Sequence, residues 1–147
     1  MWIATLVAAV FAALALLHAY WAAGGQWGSD AALPRVPAPG SGADASQPMV
    51  RAFSPGPGAT LAVAATLALV AVLVVLRAGL LGWRIEHEAL RWAIAGVAAA
   101  MLLRAIGDFR LVGFFRRVNG SRFARLDSLL FSPLCLALGL GLALVAA

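Results

Sequence analysis

The sequence contains no lysine and few charged residues of either sign. All 11 residues in the Lys plus Arg count are arginine, only 6 residues are acidic, and charged residues make up 12% of the 147. In typical water-soluble domains about a quarter of the residues are charged. With 63% hydrophobic residues and a mean hydropathy of +0.94, the chain has too little polar surface for a water-soluble fold.

Cysteine and the motifs of common enzyme classes are equally scarce. Cys135 is the single cysteine, so no intrachain disulfide can form, and one Cys with two His is too few for a zinc site. Neither a glycine-rich phosphate loop nor a Gly-x-Ser-x-Gly nucleophile elbow occurs. We therefore assign no catalytic residue, no metal site and no cofactor. Nucleic-acid binding is not expected, because the basic residues flank apolar runs and lack a soluble domain to carry them.

Four long apolar runs stand in place of these features. A helix needs roughly 20 mostly apolar residues to cross a hydrocarbon core of about 30 Å. The runs cover residues 2–22, 59–81, 92–112 and 128–147. They are apolar all round rather than alternating, which favours helices over barrel strands. The sequence therefore predicts an all-α, integral membrane four-helix bundle in which residues 1–147 form a single transmembrane domain.

The first run is expected to be a retained span rather than a cleaved signal peptide. It has no basic residue before its apolar stretch, and it ends in Tyr20-Trp21. A secretory signal starts with a positively charged region, whereas Tyr and Trp are typical of the membrane–water interface. We therefore count it as the first of four crossings.

The aromatic residues sort as four crossings require. If the N-terminus lies on a face called A, the chain emerges on the opposite face, B, after the first and third runs. The aromatic residues near face A are Trp2, Trp83 and Trp92, and those near face B are Tyr20, Trp21, Trp27, Phe114, Phe115 and Phe123. Because Trp and Tyr prefer the headgroup level, this sorting supports four spans.

The connections between the spans differ in composition. Segment 23–57 on face B is long and rich in Pro and Gly, and segment 113–127 on the same face is strongly basic. The basic segment holds Arg116, Arg117, Arg122 and Arg125, which we expect near anionic lipid headgroups. The excess of arginine on face B predicts a multi-pass protein of the cell membrane with segments 23–57 and 113–127 in the cytoplasm. Asp127-Ser128 is expected to cap the fourth helix.

Polar side chains at membrane depth gather toward face B. Such groups are costly in lipid and are functional candidates by default. No comparable residue is expected within the core at face A. We predict a pocket near face B, with ligand-binding candidates His18, Trp21, Gln26, Trp27, Arg104, Asp108 and Asp127.

Two clusters among these candidates have alternative interpretations. Arg104 and Asp108 are spaced i, i+4 and would share a helix face. They form either an ion pair that lets the helix sit in the membrane or part of a ligand or proton-relay site. His18 belongs either to an interfacial anchor ended by Gly24-Gly25 or to a hydrogen bond with Asp108 or Asp127.

Four short stretches of the sequence resemble a known family. They are 18–28 (HAYWAAGGQWG), 103–109 (LRAIGDF), 123–127 (FARLD) and 132–135 (SPLC). Together they are similar to an uncharacterised family of small bacterial four-span membrane proteins, catalogued as a domain of unknown function. The likeness covers nearly the whole chain except 29–54. The resemblance implies the four-helix architecture and no particular activity.

Two classes of function fit the sequence. The first is a non-enzymatic membrane module that binds a small or lipid-like ligand, or a partner protein, in a pocket near face B. The second is a membrane-embedded enzyme or proton-linked carrier that uses His18, Arg104, Asp108 and Asp127. The lack of nucleophile, metal and cofactor motifs favours the first class. A homo-oligomer or a partner membrane protein is compatible with both.

Overall fold

A computed structural model describes residues 1–38 and 49–147. In these ranges the helices are α1 (Trp2–Ala22), α2 (Ser29–Ala32), α3 (Pro57–Ala78), α4 (Glu88–Ile106), α5 (Arg122–Leu126), a π-helical turn (Asp127–Phe131) and α6 (Ser132–Ala146). Strands β1 (Arg35–Pro37) and β2 (Met49–Arg51) pair antiparallel, with Arg35 opposite Arg51. The all-α prediction is confirmed, and the short hairpin is a minor addition within the long segment after α1.

The helix ends follow from local signals. Helix α1 ends ahead of Gly24, whose φ of +94° favours glycine. Helix α3 starts at Pro57, which needs no N–H donor in the first turn, and stops at Gly79 in the left-handed region. Helix α4 begins at Glu88 because the side chain of His87 accepts a hydrogen bond from the Ala89 N–H.

The predicted third span was placed too far along the chain. It was expected over 92–112, but α4 covers Glu88–Ile106. Gly107 has a φ of +98° and a Cβ there would lie 1.9 Å from the Val112 carbonyl oxygen. The chain therefore turns back on itself after Ile106, and residues 107–113 form a tight loop instead of a further helical turn.

The fourth apolar run starts earlier than predicted. Ser121, rather than Asp127, is the N-cap, and its side chain accepts a hydrogen bond from the Ala124 N–H. Helix α5, the π turn and α6 follow one another without a break from Arg122 to Ala146. The π turn ends at Phe131, two residues before Pro133, which has no N–H for an α-helical bond. Widened turns of this kind are frequent at functional sites.

The helices pack in two antiparallel pairs, α1 with α3 and α4 with α6. We call the end where α1 and α4 finish the B end and the opposite end the A end. The centre of the core is formed by Phe11, Val74, Ile94 and Leu142, which are almost fully buried. The first span, α1, therefore lies mainly against the second, α3, and the third span, α4, against the last, α6.

Four helical runs in the described residues are long and apolar enough to cross a membrane. They are Trp2–Ala22, Pro57–Ala78, Glu88–Ile106 and Arg122–Ala146. In none of them is more than 33% of the central stretch buried inside the protein. Their large apolar side chains therefore point mostly outward.

The close approach of α6 to α4 gives a packing test. A Cβ at Gly139 would lie 2.8 Å from the Leu102 side chain and 3.2 Å from the Ala98 carbonyl oxygen, whereas nothing lies within 4 Å of one at Gly96. We expect Gly139→Leu to lower the free energy of unfolding in detergent micelles by about 1–3 kcal/mol through overpacking. The matched variant Gly96→Leu on α4 should leave it unchanged, and equal losses in both would contradict this packing.

Candidate functional site

A buried carboxylate at the B end joins two spans and the loop between them. Asp127 has no solvent exposure. Its Oδ1 accepts a hydrogen bond from Arg104 Nη2 at 2.8 Å, and its Oδ2 accepts one from the Gly113 N–H at 2.7 Å. Arg116 Nη1 lies 3.3 Å from the same Oδ2. We call Asp127, Arg104, Arg116 and Gly113 the carboxylate hub.

The hub holds one more positive charge than negative charge. Arg104 and Arg116 both face the single carboxylate, and Arg116 also donates to Ser128 Oγ at 2.6 Å. The Arg116 side chain is only 7% exposed. Among the described residues, three buried polar atoms have no hydrogen-bond partner here, namely Arg104 Nη1, Arg116 Nε and Ser132 Oγ. Both carboxylate oxygens of Asp127 are therefore bonded inside the protein, whereas these three atoms are not.

The predicted pairing of Arg104 with Asp108 is wrong. Arg104 pairs with Asp127, and Asp108 is exposed beyond the end of α4. The i, i+4 argument assumed that the helix continues through 108, but the turn at Gly107 moves the Asp108 side chain off the face of Arg104. A pair of residues in two different spans takes the place of a pair within one helix.

Asp108 organises the loop instead. Its Oδ1 accepts backbone N–H bonds from Arg110 at 2.9 Å, Leu111 at 2.7 Å and Val112 at 3.0 Å. Partial burial acts to raise the pKa of Asp108, but the donors of Val112, Arg110 and Leu111 outweigh it and hold the pKa below its usual value. The loop delivers the Gly113 N–H to Asp127, so Asp108 supports the hub through the backbone.

A second polar region lies between α1 and α3 at the B end. A half-open cavity of about 410 Å³ is lined by the last turns of α1, the first turns of α3, and segments 29–33 and 51–55. Its polar lining comprises His18, Trp21, Ser29, Arg51, Ser54 and Thr60, and its larger apolar lining comprises Leu33, Phe53, Pro55 and Val63. We call this cavity the B-end pocket.

His18 and Trp21 are held in place by contacts within the same region. His18 Nδ1 lies 2.8 Å from the Leu14 carbonyl oxygen, and its ring meets the Trp21 ring edge-on at 5.0 Å between centroids. Trp21 Nε1 donates to the Trp27 carbonyl oxygen at 2.8 Å. No hydrogen bond or ion pair joins His18 to Asp108 or Asp127 in the described ranges, so the hydrogen bond considered across the bundle is not formed.

The predicted candidates therefore divide into three groups. Arg104 and Asp127 meet in the hub, His18 and Trp21 line the B-end pocket, and the remaining three are exposed. Gln26 and Trp27 contribute main-chain oxygens, which accept hydrogen bonds from Ser29 Oγ and Trp21 Nε1 respectively. Asp108 belongs to the neighbouring loop.

Two buried arginines were missed by the sequence reasoning. Arg116 was expected among lipid headgroups and is instead buried in the hub. Arg77 is buried at the A end, where it donates to the Ala146 carbonyl oxygen at 3.5 Å, although no buried polar residue was expected there. Neither position has a local signal, because Arg77 is buried by contact with the distant end of α6 and Arg116 by the fold of the chain back onto Asp127 and Ser128.

An exposed ion pair at the rim of the pocket fixes the hairpin. Arg51 is bonded to Asp30, and Arg35 lies 3.5 Å from the same carboxylate. The hydrogen bond from Arg51 lowers the pKa of Asp30, so Asp30 is ionised at neutral pH and balances the charge of Arg51. In the described part of the chain, no group of three His, Cys, Asp or Glu side chains is arranged to hold a metal ion.

The fold and the two polar regions define an α-helical protein with four apolar helices of membrane-spanning length and its main polar clusters at one end. The chain belongs to the family described as Protein of unknown function (DUF3995), whose model matches residues 11–142. The resemblance to a family of unknown function is thereby confirmed. No curated protein and no solved structure matches the chain.

The lowered pKa of Asp108 predicts an acid-sensitive loop. A carboxyl group with a depressed folded-state pKa contributes stability above its unfolded value of 3.8 and loses it as the pH falls through the folded value. We expect amide protection factors of residues 110–112 to fall between pH 6 and pH 2, measured by hydrogen exchange. In Asp108→Asn they should be lower at pH 6 and independent of pH; unchanged wild-type protection at pH 2 would contradict the assignment.

Proposed function

We propose that this chain is an integral membrane protein that crosses the bilayer four times and binds a small or lipid-like ligand in the B-end pocket. The observation that carries the proposal is the cavity of about 410 Å³ between α1 and α3. Ligand pockets are typically about 300–1,000 Å³ and combine apolar walls with a few polar groups. The B-end pocket has this size and this mixed lining.

The outward-facing apolar helices support the membrane assignment. Leu6, Leu16, Leu69, Leu103 and Leu144 are each more than half exposed. A water-soluble protein rarely exposes large contiguous apolar patches. In a membrane, lipid hydrocarbon surrounds the protein and covers such patches without cost. The polar backbone of each run is satisfied within its own helix, as a spanning segment requires.

The pocket fits a ligand better than the hub does. In the hub, Arg104, Arg116 and Asp127 already bind one another, and the cavity of about 160 Å³ beside Arg116 is less than half the volume of the B-end pocket. The pocket, in contrast, lies where the ends of two spans and the hairpin meet, within reach of both lipid and the aqueous face. We therefore assign the hub to stability and the pocket to binding.

The same geometry weighs against an enzyme or proton-linked carrier built on His18, Arg104, Asp108 and Asp127. Groups that transfer a proton in one step lie within about 3 Å or are joined through one water. His18 lies in the pocket, Arg104 and Asp127 lie in the hub, and Asp108 closes a loop. We therefore favour binding without covalent chemistry.

Anionic headgroups are proposed as partners of the basic segment, with one revision. Arg116 is engaged by Asp127, so it is not available to lipid. Arg117, Arg122 and Arg125 are exposed, and each can meet a phosphate at the surface. Attraction of this kind contributes about 1 kcal/mol per residue near an anionic leaflet.

The excess of arginine at the B end predicts which side of the membrane this end faces. The loops at this end are proposed to be cytoplasmic, with both termini outside. A reporter that is active only outside the cytoplasm should be active when fused after Ala147, and one that is active only inside should be silent there. The opposite pattern would overturn the orientation.

Filling the pocket tests the proposed function. The probe is decanol that carries a diazirine in its chain, photo-crosslinked to the purified protein in nanodiscs and mapped by mass spectrometry. We expect saturable labelling of peptides containing residues 18–33 and 51–63. Ala59→Trp, which places an indole into the lining, should abolish it, whereas Ala62→Trp, an exposed position of α3 outside the lining, should not. Unsaturable labelling spread over all four spans would contradict the proposal.

A further inference from the structure

We infer that the B-end pocket selects a neutral amphipathic alcohol from the bilayer, with hydroxyl groups at one end and an alkyl chain at the other. The inference rests on the proposed function and deepens it by naming the ligand class. It follows from which hydrogen-bonding groups of the lining are already used inside the protein. The side-chain donors of the lining are largely bonded within the protein, and acceptor lone pairs remain on residues that line the cavity.

His18 supplies the first acceptor. A carbonyl oxygen can only accept, so the 2.8 Å contact between His18 Nδ1 and Leu14 O requires the proton on Nδ1. In the neutral ring Nε2 then carries a lone pair and no hydrogen. The ring lines the pocket, so Nε2 can accept a hydrogen bond from a ligand and cannot donate one.

Two hydroxyl groups of the lining are in the same state. Thr60 Oγ1 donates its hydrogen to the Gly56 carbonyl oxygen at 3.1 Å, and Ser29 Oγ donates to the Gln26 carbonyl oxygen at 2.9 Å. The Trp21 Nε1–H likewise donates to the Trp27 carbonyl oxygen. The hydroxyl oxygens of Thr60 and Ser29 then have only lone pairs available, so the ligand must supply the hydrogen-bond donor.

The charges around the pocket select against ionic head groups. The lining includes no acidic side chain, so nothing there neutralises a cation at the edge of the hydrocarbon. Its one cationic residue, Arg51, is bound to Asp30 and is exposed, as is the hydroxyl of Ser54. Among the side chains of the lining, an anion would find donors only at this rim. A neutral hydroxyl head fits the deeper acceptors without a desolvated charge.

The apolar part of the lining accounts for the other end of the ligand. Leu33, Phe53 and Val63 supply apolar walls, and α1 and α3 carry apolar surface from the pocket toward the middle of the bilayer. An alkyl chain can lie along these walls while the hydroxyl end stays at the level of His18. A single-chain glyceride or a long-chain alcohol has this shape.

Competition against the diazirine probe tests the head-group preference. The competitors share one acyl chain and differ in the head: monodecanoylglycerol is neutral with hydroxyl donors, methyl decanoate is neutral without donors, and decanoate is anionic at neutral pH. We expect monodecanoylglycerol to displace the probe at a concentration about five to ten times lower than methyl decanoate, the effect of one or two net hydrogen bonds. Decanoate should be the weakest.

Two pairs of variants assign the effect to the acceptors. Thr60→Val and His18→Phe remove an acceptor while keeping the shape of the side chain, and each should reduce the preference for the glyceride over the methyl ester. Thr66→Val is the matched control, because Thr66 makes the same bond to the carbonyl four residues back but lies outside the pocket. His87→Phe, outside the pocket, is the control for His18, and its stability is measured alongside because it also removes the N-cap of α4. If His18→Phe fails to fold, Thr60→Val alone carries the test.

The outcomes separate the inference from the function on which it rests. Saturable labelling with equal displacement by all three competitors, or with decanoate preferred, would overturn the alcohol preference and leave a lipid-binding pocket. An unchanged preference in a folded Thr60→Val would also overturn it. If no competitor displaces the probe and labelling never saturates, the proposed function fails together with the inference.

Discussion

The arrangement of the B end depends on one buried carboxylate. Asp127 has no contact with solvent, and an ionised carboxylate in such a place is stable only if positive charge and hydrogen bonds surround it. Arg104 from α4, and Arg116 and the Gly113 N–H from the loop, meet this requirement. Since each donor comes from a different place in the sequence, satisfying Asp127 fixes the end of α4, the path of the loop and the start of the last helical run together. The π turn at Asp127–Phe131 lies where these elements meet.

The two helix pairs therefore use their polar groups differently. In the α4–α6 pair the polar groups bind one another, whereas in the α1–α3 pair the pocket keeps lone pairs and apolar walls without an internal partner. Both regions lie at the B end, so binding in the pocket would take place next to a structurally constrained loop. The hairpin, held by Asp30 with Arg35 and Arg51, borders the pocket and gives the B end an aqueous boundary.

The sequence was sufficient for the fold because the four apolar runs are long, and their lengths alone predict spanning helices. It was not sufficient for the hub. The spacing of Arg104 and Asp108 suggested a pair within a helix, but Gly107 and Gly113 approach so closely that a Cβ at Gly113 would lie 2.3 Å from Gly107 Cα. Two glycines six residues apart near the end of an apolar run were the available signal for a closed loop. The burial of Arg77 depends on a contact with the distant end of α6, and that of Arg116 on the path of the loop back to Asp127, neither of which one sequence reveals. His18 and Trp21 were identified as candidates from the sequence. Only the structure shows that the hydroxyl groups of Thr60 and Ser29 donate to main-chain carbonyl oxygens.

The stability of three variants tests the role of Asp127 most directly. Asp127→Asn leaves the buried Arg116 and the partly buried Arg104 without a counter-charge, so the free energy of unfolding in micelles should fall by about 3–5 kcal/mol. Arg104→Gln keeps Asp127 paired with Arg116 but removes the charged donor to its buried Oδ1, so it should cost less, about 1–3 kcal/mol. Asp30→Asn, at an exposed ion pair, is the matched control and should have little effect on global unfolding. An Asp127→Asn protein as stable as the Asp30→Asn protein, or less affected than Arg104→Gln, would contradict the account.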